Sequence, residues 1–211
     1  MIKVIYNTDI FPFRELLQNL FEVQDLSLLN DEVEVFRREN DQSTKYHKAF
    51  YEWARTDSFE KLYGNFILNV VKPLYDEQVV YQAIPTFRVA YPNNIAVGEF
   101  HKDKHYRDVA WADEVDEDNF FLPFTDAFDT NTIWVESEED KEDYAPIECK
   151  YGEIVQWDGS NLKHGNKINT TGKCRVSVDF RVMKYSKYKP SDHGSINTKT
   201  KFQIGGYYKT V

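Results

Sequence analysis

The feature that most limits the fold of this chain is a change of hydrophobic period near Gln78. Before it, apolar residues recur at helical spacing. Phe13, Leu16, Leu17, Leu20 and Phe21 form one helical face. A second helix is expected over Lys45 to Ala54. A third is expected from about Asp57, with Glu60 three residues on as a capping box. Its stripe is Phe59, Leu62, Phe66, Val70 and Leu74, and Pro73 should bend or end it. After Gln78 the pattern alternates instead. VVYQAIPTFRVAY, IAVGEFHKD, NFFLPFTDAF, TNTIWVES, GEIVQWDG and CRVSVDFRV read as short strands, with Pro, Asn, Asp and Gly between them.

Helices first and strands later predict an α+β chain that is mainly β, with helices packed on a sandwich or barrel. A jelly roll, the double-stranded β-helix, is the natural candidate. The 16% aromatic content suits a strand-rich core. No repeat or linker divides the 211 residues, so one domain is expected over 1–211. Residues 1–77 would be mostly helical support, 78–183 the β core and 184–211 a C-terminal extension. KFQIGGYY in that extension reads as a strand folded back on the rest.

The formal net charge is −9, which disfavours non-specific nucleic-acid binding. The acidic runs Asp113 to Asp118 and Glu136 to Asp143 read as solvated, charge-rich loops, with a cation site or partner patch as the alternative. Cys149 and Cys174 form no C-x-x-C pair and are expected as reduced thiols. No apolar run approaches membrane-spanning length, and the first residues lack a signal peptide's apolar core. The expectation is a soluble cytoplasmic protein acting on a small molecule, with no nucleic-acid or membrane partner. Its oligomeric state is open, a homodimer included.

The candidate chemistry begins at His101-Lys102-Asp103. On a strand, residues i and i+2 point the same way, so His101 and Asp103 can converge on one ion. His164, in NLKHGN, is the candidate third ligand. Two imidazoles and a carboxylate suit non-haem Fe(II) and leave positions open for a keto acid and dioxygen; zinc is the competitor on ligand type alone. His105 lies nearby and complicates the assignment. Eleven residues after His164 comes Arg175, in RVSVDFR, with Ser177 on the same strand face. A guanidinium can grip a carboxylate through two parallel hydrogen bonds, and a serine hydroxyl can add a third. The opposing reading is a structural ion pair of Arg175 with Asp179 or another carboxylate.

The order H-x-D … H … R-x-S resembles that of the Fe(II)/2-oxoglutarate dioxygenase superfamily, especially its phytanoyl-CoA hydroxylase-like branch. Between Pro85 and Val182, VGEFHKDKHY, LPFTDAFDTNTIWVES and WDGSNLKHGNKINTTGKCRVSVDFRV resemble the StrG-type proteins of streptomycin biosynthesis clusters. The resemblance implies a double-stranded β-helix. It implies Fe(II) at His101, Asp103 and His164, and 2-oxoglutarate as cosubstrate at Arg175 and Ser177. The implied activity is hydroxylation of a small polar metabolite, such as a sugar or aminoglycoside-like intermediate, with dioxygen. The alternatives are a cupin-like metal enzyme that uses no keto acid, and a non-catalytic small-molecule binding protein.

Further positions are candidates for the substrate. Arg88 shares an alternating face with Gln82, Ile84 and Thr86 and can bind an anionic group; a structural ion pair is the competing reading. Asn131, Ile133 and Val135 share one face of TNTIWVES, Thr132 and Trp134 the other, and one set should face the site. Asn119, Phe121 and Pro123 pose the same choice. Asp158 is read as a turn residue that can alternatively orient a ligand imidazole. His47 and His193 are assigned to structure or surface.

Overall fold

The computed structural model of the chain describes residues 1–29, 42–96, 99–106, 109–195 and 200–211. The structure is mainly β, with antiparallel sheets and few helices. Strand β1 (Ile2–Ile5) precedes helices α1 (Phe13–Phe21), α2 (Lys45–Trp53) and α3 (Asp57–Phe66). Strands β2 (Val79–Gln82) and β3 (Thr86–Ala90) follow, then α4 (Val109–Val115), β4 (Asp118–Pro123), β5 (Ile133–Val135) and β6 (Ala145–Pro146). The chain continues through β7 (Glu153–Trp157), β8 (His164–Asn166), β9 (Arg175–Lys184) and β10 (Tyr208–Thr210).

Among the described residues the large sheet runs β1-β7-β4-β9-β2-β10, with β3 also paired to β9, and a small sheet runs β6-β5-β8. Strand β9 organises the large sheet. One edge pairs with β4, from Asp118↔Val182 to Pro123↔Ser177. The other edge is shared: β2 covers its C-terminal part and β3 its N-terminal part, with Arg88 opposite Ser177 and Ala90 opposite Arg175. Alternation then divides the side chains of β9. Val176, Val178, Phe180 and Val182 enter the main core, whereas Arg175, Ser177, Asp179 and Arg181 face a cleft.

The helices cover the core face. Phe50 of α2 stacks on Phe87 at 4.4 Å between ring centroids, and Tyr63 of α3 meets Phe180 edge-on at 5.5 Å. Burial of each such ring contributes about 1.5–3 kcal/mol. This core presses the large sheet from one side and leaves the polar face of β9 to the other.

Several sequence expectations need correction. β1 was read as part of a helical region, but Ile2, Val4 and Ile5 suit an extended edge, and β1 pairs with β7. Thr56, rather than Asp57, caps α3, accepting from the Phe59 N–H, so Glu60 falls outside a capping box. A π turn over Ile67–Val71 rotates the stripe, and the buried line becomes Phe59, Tyr63, Phe66, Ile67 and Val71. Pro73 sits in the final 3-10 turn, Lys72–Leu74, as the expected terminator. The run Asp113 to Asp118 is mostly the end of α4 and the start of β4 rather than a loop. In the extension, the returning strand starts only at the last residue of KFQIGGYY and pairs with β2. Residues 196–199 of the extension lie outside the described residues, as do Val97 and Gly98 of the predicted strand IAVGEFHKD. Cys149 and Cys174 are free and buried. No described helix is long and apolar enough to cross a membrane.

Candidate metal centre and anion pocket

His101 and Asp103 do not lie on a regular strand, contrary to the H-x-D expectation. His101 makes an isolated antiparallel bridge to His164, with backbone N···O distances of 2.8 and 2.9 Å in the two directions. Asp103 opens a 3-10 turn, and its N–H is held by the Gly159 carbonyl at 2.9 Å. Bridge and turn together still bring the two side chains to His164, which starts β8. Among the described residues, His101, Asp103 and His164 form a set whose ligand atoms all lie within 4.8 Å of one another. Asp103 Oδ1 lies 3.5 Å from His101 Nε2 and 3.7 Å from His164 Nε2.

The surrounding hydrogen bonds aim these groups at a common point. His101 Nδ1 is 2.8 Å from the Glu99 carbonyl, and His164 Nδ1 is 2.9 Å from that of Leu162. A carbonyl only accepts, so each Nδ1 carries the proton and each Nε2 presents its lone pair. Asp103 is held from behind: Asn119 Nδ2 donates to its Oδ2 at 2.7 Å and Arg181 Nη2 at 2.5 Å. Oδ1 is left to the histidines. Gly159 makes room for this arrangement, because a Cβ there would lie 2.6 Å from the Asn119 amide. Such a donor set fits one divalent ion at bonds of about 2.0–2.2 Å.

The electrostatics agree with that role. Burial alone would raise the Asp103 pKa, but the Arg181 guanidinium, His101, His164 and Asn119 hold it well below the carboxylate range. Burial lowers the pKa of His164 and keeps it neutral. Burial also opposes charge on His101, but bonding to Asp103 and the Glu99 carbonyl outweighs it, and its pKa lies above the ordinary 6.5. A ligand imidazole must be neutral, so a metal must displace the His101 proton. Metal affinity is therefore expected to fall as the pH drops through that raised pKa, with a proton released on binding. Isothermal titration in buffers of different ionisation enthalpy, from about pH 8 to about pH 6, measures both. Affinity independent of pH over that window would remove His101 from the ligand set.

The cleft opens to solvent and is lined by charged and apolar side chains, among them Arg88, Asp179, Phe121 and Trp157. Arg175 lies in its wall, 1% exposed, with its guanidinium carbon 5.5 Å from the centroid of the Phe121 ring. Its Nε and Nη1 have no hydrogen-bond partner. Burial pulls its pKa down to about 10, still cationic at neutral pH. Asp179, the structural partner considered for it, instead lies 3.3 Å from Arg181 and 3.7 Å from Arg88. A buried guanidinium with idle donors stands beside Ser177 in the cleft that holds the His-Asp-His set, and such donors would suit an anion.

The structure brings His101, Asp103, His164, Arg175, Ser177 and Arg88 together in this cleft. Gln82, Asn131 and Trp134 do not line it. Gln82 belongs to β2, and the break between β2 and β3 ends the alternation that linked it to Arg88; its amide bonds the Ile84 carbonyl and Thr86. Asn131 caps a 3-10 turn through the Phe128 N–H, and Ile133 of the same predicted face reaches the cleft instead. The Trp134 indole donates to the Asp129 carbonyl and carries Lys167 over its ring. Asp158 is the turn residue, accepting from the Asn161 N–H. His105 is exposed and outside the ligand set. Asn119 and Phe121, weighed in the sequence as a candidate face for the site, line the cleft, whereas sequence reasoning missed Arg181 and Asn166 as residues of the site. Arg181 shares parity with Arg175 on β9, which was the available signal; nothing local marks Asn166.

No family model matches the chain. A solved structure, the non-heme alpha ketoglutarate dependent carbocyclase SnoK from nogalamycin biosynthesis, superposes with a TM-score of 0.52 at 12% identity, covering 99% of this chain and 89% of that one. The two chains thus share a fold. In sequence, the chain is 35% identical over 209 residues to the streptomycin biosynthesis protein StrG of Streptomyces griseus, spanning 99% of this chain and 98% of the relative. The chain belongs to the StrG family.

Proposed function

We propose that this protein is an Fe(II)- and 2-oxoglutarate-dependent oxygenase of the phytanoyl-CoA hydroxylase-like branch, hydroxylating a small polar metabolite. The observation that carries the reading is the pairing of two sites in one cleft: a His-Asp-His set and a buried guanidinium with unsatisfied donors. His101, Asp103 and His164 would hold the metal, and Arg175 with Ser177 the far carboxylate of the keto acid. Bound there, Fe(II) and 2-oxoglutarate supply oxidative decarboxylation to succinate coupled to oxygen insertion into a C–H bond.

The chain's own residues do the positioning. The Glu99 and Leu162 carbonyls fix the imidazole tautomers, and Asn119 and Arg181 turn one carboxylate oxygen of Asp103 inward. Trp157, edge-on to His164 at 4.5 Å, and Phe121 give the cleft its apolar wall. Arg88, Ile133 and Asn166 line the remaining space and would meet the substrate. With this reading go a double-stranded β-helix over 78–183, one domain over 1–211 and a cytoplasmic setting. By analogy with StrG, a streptomycin biosynthesis protein, the substrate would be a sugar or aminoglycoside-like intermediate of a biosynthetic pathway. A metal enzyme without a keto acid is the weaker reading, because it leaves the idle donors of Arg175 without purpose.

Anaerobic titration of the Fe(II) protein with 2-oxoglutarate tests the proposal. A weak visible metal-to-ligand charge-transfer band is expected, and succinate should form once oxygen and a substrate are admitted. Bound iron with no such band would point to a metal enzyme that uses no keto acid.

A further inference from the structure

Three lysines are interleaved with the three candidate ligands. Lys102 lies between His101 and Asp103, Lys104 follows Asp103, and Lys163 precedes His164. All three reach the same acidic segment. Lys102 Nζ donates to Glu139 at 2.9 Å and to Asp140 at 2.8 Å, although the residue is only 6% exposed. Lys104 Nζ reaches Glu139 at 3.3 Å and Asn161 Oδ1 at 3.1 Å. Lys163 Nζ reaches Glu142 at 2.5 Å.

Glu136, 1% exposed, locks the segment to the backbone. Its Oε1 accepts the Lys163 N–H at 2.6 Å and its Oε2 the Glu142 N–H at 3.1 Å, while its own N–H donates to the Lys163 carbonyl. The two ligand-bearing stretches otherwise meet through the His101–His164 bridge, the bond from Asp103 N–H to Gly159 and the bond from Lys104 Nζ to Asn161. Two short stretches so joined hold three ligands, and ligand spacing decides metal affinity.

We infer that residues 136–143 are a positioning strap for the metal centre, fixing the spacing of His101, Asp103 and His164 through Lys102, Lys104, Lys163 and Glu136. The inference rests on the metal reading of that set. The strap is ionic and partly exposed, with Glu139 and Asp140 side chains 50% and 77% accessible. Salt should therefore loosen it.

The test is Co(II) alone, titrated into the full chain and followed by its visible absorption, for wild type, Glu139→Gln/Asp140→Asn and Lys102→Met. Both variants are expected to bind Co(II) about tenfold more weakly, the low end for outer partners of a metal ligand. Apo-protein melting should shift by far less than that loss implies, since the changed carboxylates are exposed. Wild-type affinity should also fall more steeply with NaCl than that of the carboxylate variant. Lys102→Met covers the case in which an orphaned Lys102 unfolds the other variant. A folded variant with wild-type affinity, or equal salt slopes, overturns the strap and leaves the metal centre standing. Failure of the wild type to bind Co(II) overturns the metal centre itself.

Discussion

A chain carrying Asp103→Ala is expected to lose Fe(II) binding by at least a thousandfold, about 4 kcal/mol. Asp103 is the one anionic donor in the set, and its Oδ1 lies 3.5 and 3.7 Å from the Nε2 atoms of His101 and His164. The substitution has a second cost, because it strips Arg181 of its nearest carboxylate in a site where charge is buried. Leaving one partner of a buried pair alone costs about 3–5 kcal/mol. Asp103→Asn is the cleaner variant, since it keeps the shape and an acceptor for Asn119 and Arg181. Its fold should survive better while its metal affinity still collapses. Equilibrium dialysis against Fe(II), with circular dichroism on the same samples, separates the two effects. Unchanged affinity in a folded Asp103→Asn protein would remove Asp103 from the ligand set.

Arg175→Leu is the second large effect, and it should weaken binding without lowering stability. Truncating one partner of a buried charge-assisted pair costs about 2–5 kcal/mol of binding, or roughly thirty- to several-thousand-fold in 2-oxoglutarate affinity. Fe(II) affinity should stay close to wild type, because Arg175 does not touch the ligand set. The apo protein should melt no lower than wild type, since the leucine removes a desolvated cation whose Nε and Nη1 bond nothing. A structural arginine predicts the reverse: a lower melting temperature with keto-acid affinity intact. Thermal melts beside anaerobic 2-oxoglutarate titrations distinguish the two.

Sequence reading picked out the residues of the cleft more readily than the geometry that assembles them. His101, Asp103, His164, Arg175 and Ser177 were legible because their order along the chain is informative whatever the local backbone does. The reason given for His101 and Asp103 converging was a strand, whereas a bridge residue and a 3-10 turn do it. That outcome depends on Gly159 and His164, more than fifty residues away, and no local pattern encodes it. The same limit explains Gln82. Alternation carried it onto the face of Arg88, but Pro85 and its neighbours break the strand there, and β2 and β3 meet different parts of β9. Helix α3 shows a third kind of failure, in which a single π turn displaced the buried stripe without changing the helix's existence. The mainly-β character with helical cover was legible from the change of period alone.

Strand β9 does two jobs with one set of alternating positions. Its even residues build the core, and its odd residues carry the idle guanidinium donors of Arg175 at one end and the clamp on Asp103 at the other. A one-residue slip would exchange the two sets, moving three charges into the apolar core and four apolar side chains into the cleft. The strand is therefore closed to gradual alteration, and any remodelling of its cleft must work through other parts. Ile133 and Asn166 on the small sheet, and Arg88 on β3, line the same space without that double duty. Those three positions are where a library seeking altered substrate preference should be randomised, with β9 left as it is.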